Sequence, residues 1–248
     1  PGCENTGGLV MTTVDIRRAD TRFHTQIDWL DSWHSFSFGN HFDAANTGHG
    51  FLTVLNDDTV APGAGFGTHG HRDMEIVSWV LAGELEHRDS TGTFGVIYPG
   101  LAQRMSAGSG IRHSEVNHST TEPVHFVQMW VVPDRQGVEP GYEQLDVNDR
   151  LAAGGLVAVA SGRGHDGAIT IHQRGAVLWV ARLSADEQVR LPDAPFVHVF
   201  VARGAVGLGG EEIVAGGAVL LAAAGPMDVV ANSASEIIVW ESDTSVSR

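Results

Sequence analysis

The chain contains no lysine: all 15 basic residues are arginine, set against 30 aspartates and glutamates, for a net charge of −15. Without lysine, Schiff-base chemistry and a lysine-dependent phosphate loop are excluded. The acidic balance argues against nucleic acid or an anionic membrane as a direct partner, because both call for a basic surface. Cysteine is almost as scarce. Cys3 stands alone, so no intramolecular disulfide forms and a cysteine-based metal or nucleophile site is not expected. Long apolar runs are missing too, and the first thirty residues hold no basic segment leading into an apolar core. Neither secretion nor membrane spanning is indicated, and the cytoplasm is the expected compartment.

Glycine, by contrast, is plentiful at 31 of 248 residues, which suits a turn-rich all-β protein better than a helical one. Residues 50–55 form a β-branched and aromatic run leading into Asn56-Asp57-Asp58, which reads as a turn. Residues 76–81 lead likewise into Gly83, and residues 85–88 into Asp89-Ser90-Thr91-Gly92. Turns at such regular intervals mark a sandwich or jelly roll. We expect one β-domain over residues 12–132, a polar, breaker-rich linker over 133–150, and a second β-domain, rich in Ala and Gly, over 151–248. Residues 1–11 read as a flexible extension, with Met11 as a natural start. Helix is scarce, and its best candidates are residues 143–149 and 184–189.

Histidine carries the chemistry. Two short motifs stand out, His69-Gly70-His71 and His113-Ser114-Glu115. Successive side chains on a strand point to opposite faces, so His69 and His71 share one face, as do His113 and Glu115. Two such strands facing each other in a barrel offer three imidazoles and one carboxylate to a common point. That donor set suits a divalent first-row transition metal with coordination positions left open. The second half has no His-x-His pair, so no complete metal site is expected there. His34, His41, His49, His87, His118 and His125 lack paired spacing and read as surface or hydrogen-bonded histidines. Glu84, Glu86 and Asp89 read as solvated strand-edge charge. Over residues 124–131, alternation lets Phe126, Gln128 and Trp130 face the barrel interior while Met129 and Val131 face out, or the reverse.

Read more widely, Gly63, His69, His71, Glu75 and Gly83 fall at spacings that resemble the first signature of the cupin superfamily. Gly100, Ser106-Ala107-Gly108 and His113 resemble a looser second signature. Together with Trp33-His34-Ser35-Phe36-Ser37-Phe38-Gly39-Asn40-His41-Phe42 and the segments 83–90 and 106–115, these make residues 28–145 similar to the pirin family. The wording Gly39-Asn40-His41-Phe42-Asp43 is most similar to the bacterial pirin-like quercetinases. The resemblance implies two cupin domains (double-stranded β-helix, or jelly roll) in one chain. It also implies one metal ion held by His69, His71, His113 and Glu115. The ion implied is Fe(II), with Ni, Cu, Co, Mn or Zn as alternatives. Glu75 sits where many ordinary cupins place their carboxylate ligand and stands as the alternative to Glu115; otherwise it reads as an acceptor orienting an imidazole N–H. Gly70 replaces the proline usual between the two histidines, which bears on the stiffness of the site more than on its ligands.

The same resemblance implies ring-opening oxidation of a flavonol such as quercetin by O2. The flavonol 3-hydroxyl must lose its proton before it binds the metal, and Glu115 is the natural base. An apolar mouth including Phe38, Phe51, Phe66 and Met74 would hold a flat aromatic ligand, although these residues read equally well as core. A second reading is a redox-sensing, protein-binding pirin, resembling a transcription co-regulator and acting without turnover, whose acidic surface meets a protein partner. A third is a storage-like cupin with incidental histidines. A monomer is expected in each case.

Overall fold

The structure, a computed structural model, describes residues 12–246. The expected extension over 1–11, with Cys3 and Met11, lies outside the described residues. Strand β1 spans Thr13–Arg17, β2 Phe23–Ile27, β3 Leu30–His34, β4 Leu52–Val60, β5 Gly65–His71 and β6 Glu75–Ala82. Next come β7 (Leu85–Asp89), β8 (Phe94–Ile97), β9 (Leu101–Ser106), β10 (Ile111–Asn117), β11 (Val124–Val131) and β12 (Gly141–Asp146). A short helix, α1 (Asn148–Ala152), leads to β13 (Val157–Ser161), β14 (Ile169–Thr170), β15 (Ala176–Leu183), β16 (Gln188–Arg190) and β17 (Phe196–Arg203). The chain closes with β18 (Ala205–Leu208), β19 (Glu211–Val214), β20 (Ala218–Ala222), β21 (Asp228–Ala231) and β22 (Ser235–Ser242). No helix among the described residues is long and apolar enough to cross a membrane.

The strands build two jelly-roll units, each a seven-stranded sheet with a four-stranded one. The first unit sets β12-β9-β6-β11-β4-β3-β2 against β5-β10-β7-β8; the second sets β1-β20-β17-β22-β15-β13-β14 against β16-β21-β18-β19. Strand β1 crosses between them, pairing Thr13 with Ala222 and Arg17 with Ala218 at the edge of the second unit's sheet. Within the stretch read as a linker, β12 pairs with β9 from Gly141↔Ser106 to Asp146↔Leu101. The helix expected over 143–149 is therefore strand as far as Asp146, and helix begins only at Asn148. Residues 184–189 are a turn entering β16, not a helix. In both places cross-strand pairing overrides a weak local preference.

The two large sheets pack back to back. Leu55, Trp79 and Met129 from the first unit share one buried cluster with Leu178, Phe200 and Trp240 from the second. This contact buries the outer faces of β6, β11, β15 and β22, which explains their nearly continuous apolar sequences. It also sets the phase of β11: Val127, Met129 and Val131 enter the shared seam, and Phe126 faces the first barrel's interior. Both buried tryptophans make polar contacts across the seam. Trp79 Nε1 donates to Glu236 Oε1 at 2.6 Å, and Trp240 Nε1 lies 3.1 Å from Met129 Sδ. The second barrel's interior is aliphatic, with Val199, Val206, Val219 and Ile237 at its centre.

Asn56-Asp57-Asp58 is not a turn; β4 runs straight through it. Alternation sends Asn56 and Asp58 inward, where Asn56 Oδ1 lies 2.8 Å from His34 Nδ1 and Asp58 accepts from the Ser32 hydroxyl. Asp57 points the other way, to Arg22 at 2.9 Å and His125 at 2.6 Å. Polar side chains with partners on both faces keep a turn-like tripeptide extended.

Two predictions follow from the seam. Trp79→Phe leaves Glu236 one donor short, so it should fold but lose about 2 kcal/mol of stability in a urea titration. His198, on β17, is buried facing the seam, and burial, followed by repulsion from His49 and Arg17, pushes its imidazole down to about 3. The unfolded chain takes up that proton near pH 6.5, the folded one only near 3, so stability falls as the pH drops through this window. The loss approaches about 1.4 kcal/mol per pH unit. His198→Leu should flatten that part of the acid-side slope when unfolding is compared at neutral and mildly acid pH.

Candidate metal centre

Strands β5 and β10 run antiparallel with His113 opposite His69 and Ile111 opposite His71. Toward Glu115 the register shifts, and Glu115 comes opposite Phe66. Strand β5 thus carries an extra residue, a bulge of the kind that re-aims side chains beside sites. Gly65 makes this approach possible, because a Cβ there would lie 2.3 Å from the Glu115 carbonyl oxygen.

The bulged pair brings three imidazoles together. Ring centroids are 4.8 Å apart for His69 and His71, 4.5 Å for His69 and His113, and 4.9 Å for His71 and His113. One nitrogen from each lies within 4.8 Å of the others. The hydrogen-bond network assigns the tautomers. His69 Nδ1 donates to the Gly67 carbonyl at 2.8 Å, which leaves its Nε2 bare. His87 Nε2 donates to Asp89 Oδ2 at 3.1 Å, so its Nδ1 accepts from His113 Nδ1 at 3.5 Å. His113 Nε2 is then bare as well, and it faces His69 Nε2 at 3.1 Å. His71 Nε2 is buried with no hydrogen-bond partner. Burial, then repulsion among the rings, pushes His71 down to about 4 and His113 to about 3. Neutral rings with converging lone pairs repel one another until a cation sits between them, and neutral imidazole is the ligating form. The donor set fits a divalent first-row ion.

Glu115 is buried on the same wall, but it groups with His113 and His87 rather than with His69 and His71. Its Oε2 accepts from Gln128 Nε2 at 2.7 Å and its Oε1 from Ser78 Oγ at 3.3 Å. Trp130 Nε1 donates to Gln128 Oε1 at 3.0 Å, which turns the amide nitrogen toward Glu115. Glu75 is elsewhere. Its oxygens accept from Ser106 Oγ at 2.9 Å and from the His172 backbone N–H at 3.1 Å, and Oε1 lies 3.2 Å from His172 Nδ1. It belongs to neither metal-competent group and links the two units instead.

Expected as solvated strand-edge charge, Asp89 instead has a fully buried side chain. Burial would raise its carboxyl, but hydrogen bonds from Thr91, His87 and the backbone of Thr93 and Thr91 outweigh that and hold it below the usual range. His87 is likewise buried, its ring tilted against Tyr142 and directly behind His113. The signal lay in the spacing: His87-x-Asp89 is a third two-residue pair, on the strand neighbouring β10.

A cavity of about 780 Å³ opens onto His69, His71 and Glu115. Phe38 and Phe66 line it as expected, with Trp29 and Trp130, whereas Phe51 lies in the seam core and Met74 packs beside Ile76 and Met105. Asp58 also faces the cavity. Burial, opposed by the Ser32 hydrogen bond and reinforced by Asp57 and Glu115, pushes its carboxyl up to about 7. Composition alone hid this residue inside an apparent turn.

The Pirin family model matches residues 16–131, and a model of the quercetinase C-terminal cupin domain matches residues 158–241. A Mycobacterium tuberculosis relative, whose name carries a provisional quercetin 2,3-dioxygenase assignment, is 55% identical over 92% of this chain and 95% of its own. The quercetin 2,3-dioxygenase of Escherichia coli K12 is 37% identical over 92% of this chain and 98% of its own. The crystal structure of the bacterial pirin YhhW in complex with nickel(II), from E. coli, aligns at a TM-score of 0.87 and 37% identity. That alignment covers 94% of this chain and 100% of that one. A metal-binding His/Glu cluster is therefore present, and His87 and Asp89 orient one of its imidazoles. His87→Leu should leave the fold intact and weaken metal retention about 10- to 100-fold, measured by competition with a chromophoric chelator.

Proposed function

The chain belongs to the pirin family of bicupins, in its quercetinase-like branch, and from that premise we propose ring-opening oxidation of a flavonol by O2 at the His/Glu cluster. The observation that carries this reading is the pair of bare imidazole nitrogens 3.1 Å apart, one of them on His69, which lines an aromatic-walled cavity. In this reading His69, His71 and His113 hold the metal, with Glu115 as the fourth ligand, and Fe(II) is the resident ion. The bound ion supplies Lewis acidity and an open position for substrate oxygen.

The protein's own groups do the rest. Phe38, Phe66 and Trp130 present rings to a flat substrate and keep water from its faces. Glu115 takes the proton of the flavonol 3-hydroxyl, leaving an anionic oxygen that a bound metal would hold. Gln128 and Ser78 hold the carboxylate in place while it is charged, since each donates to one of its oxygens. When Glu115 gains the proton, one of these contacts is weakened, and the acid is poised to return the proton.

The test is oxygen uptake with quercetin, on protein whose bound metal has been counted. Glu115→Gln should retain much of the metal and lose about 100-fold or more in turnover. His113→Ala should lose metal and uptake together. Unchanged turnover in Glu115→Gln removes that residue as the base. A full metal complement without any uptake moves the protein to the non-turnover, redox-sensing reading.

A further inference from the structure

A second cavity, of about 460 Å³, lies between the two units and shares no lining residue with the one over the metal cluster. Its walls come from β1, the segment after β3, and the seam-facing side of β17 and β20. His198 projects into it from β17, 1% exposed, with neither ring nitrogen hydrogen-bonded among the described residues. The buried Ser35 hydroxyl is likewise without a partner. Arg22 donates through Nη1 to Asp57 and through Nε to the Ala19 carbonyl, which leaves Nη2 free. That Nη2 lies against Gly216, where a Cβ would approach it to 2.5 Å. Three arginines and one aspartate line the cavity, a basic balance in a chain of net charge −15.

Orphaned buried polar groups are costly unless something fills the space and bonds to them. Ser35 and Arg22 Nη2 offer donors that suit a carboxylate, and the neutral His198 ring offers one N–H and one lone pair. The lone pair needs a donor, such as a ligand hydroxyl. Phe36, with its ring 5.6 Å from His198, and Leu220 supply an apolar flank that suits a ring rather than a bare inorganic anion.

We propose that this inter-unit cavity is a second ligand site, which takes a small hydroxylated aromatic carboxylate with its carboxylate at Arg22 and Ser35 and its hydroxyl at His198. The site stands independently of the reaction at the metal cluster. The test is isothermal titration calorimetry of the full, metal-loaded chain with 4-hydroxybenzoate, with inorganic phosphate as the non-aromatic comparison. One 4-hydroxybenzoate should bind per chain, more tightly than phosphate. Ser35→Ala and His198→Leu should each weaken it about tenfold, and His113→Ala should leave it unchanged. Ser35→Ala removes a single oxygen and serves alone if His198→Leu fails to fold. Absence of binding overturns the proposal and leaves the cavity to water. Binding lost in His113→Ala but kept in Ser35→Ala overturns it by placing the carboxylate at the metal. Phosphate binding as tightly as 4-hydroxybenzoate overturns the aromatic assignment.

Discussion

The apolar seam between the two large sheets fixes the rest. Once Val77, Trp79 and Leu81 of β6 and Val127 and Met129 of β11 are committed to it, the two-residue period forces Ser78 and Gln128 into the first barrel. Those two residues are the ones that hold Glu115. A slip of one residue in either strand would put an aliphatic chain against the carboxylate and a polar one into the seam. The geometry at the metal cluster is thus set from behind, by packing with no contact to the ligands.

The two units divide the labour unevenly. The first places imidazoles and carboxylates in its interior and holds most of them through Gly67, the His87–Asp89 pair, Gln128 and Ser78. The second fills the equivalent space with aliphatic side chains and contributes stiffness. Among its polar contacts to the first unit is His172, which binds Glu75 at the start of β6. Anchoring that strand end steadies the turn that follows His71, the last residue of β5, where Gly70 supplies none of the rigidity a proline would.

What was legible in the sequence was local. The two paired motifs were readable because strand alternation needs only two residues of context, and β5 and β10 bring their three histidines together as that period requires. The all-β character followed from regular turns. What depended on distant partners was hidden. Asn56-Asp57-Asp58 has turn composition and is held extended by His34, Ser32, Arg22 and His125. Asp89 looks like edge charge and is buried because His87, Thr91 and the backbone of Thr93 claim its oxygens. Glu75 had the right spacing for a ligand, but its partner lies in the other unit, nearly a hundred residues away. The bulge that offsets Glu115 from the triad has no composition signal at all.

Strand β1 is made long before the strand it pairs with. It leaves the ribosome before any other described strand, yet its hydrogen-bonding partner, β20, follows about two hundred residues later. At roughly 5–20 residues per second, that leaves an edge-competent segment without its mate for about 10–40 s. The exposed Val14 and Ile16 ride on that waiting strand. Nascent chains on one message therefore carry, side by side, a segment able to pair with the wrong neighbour's β20.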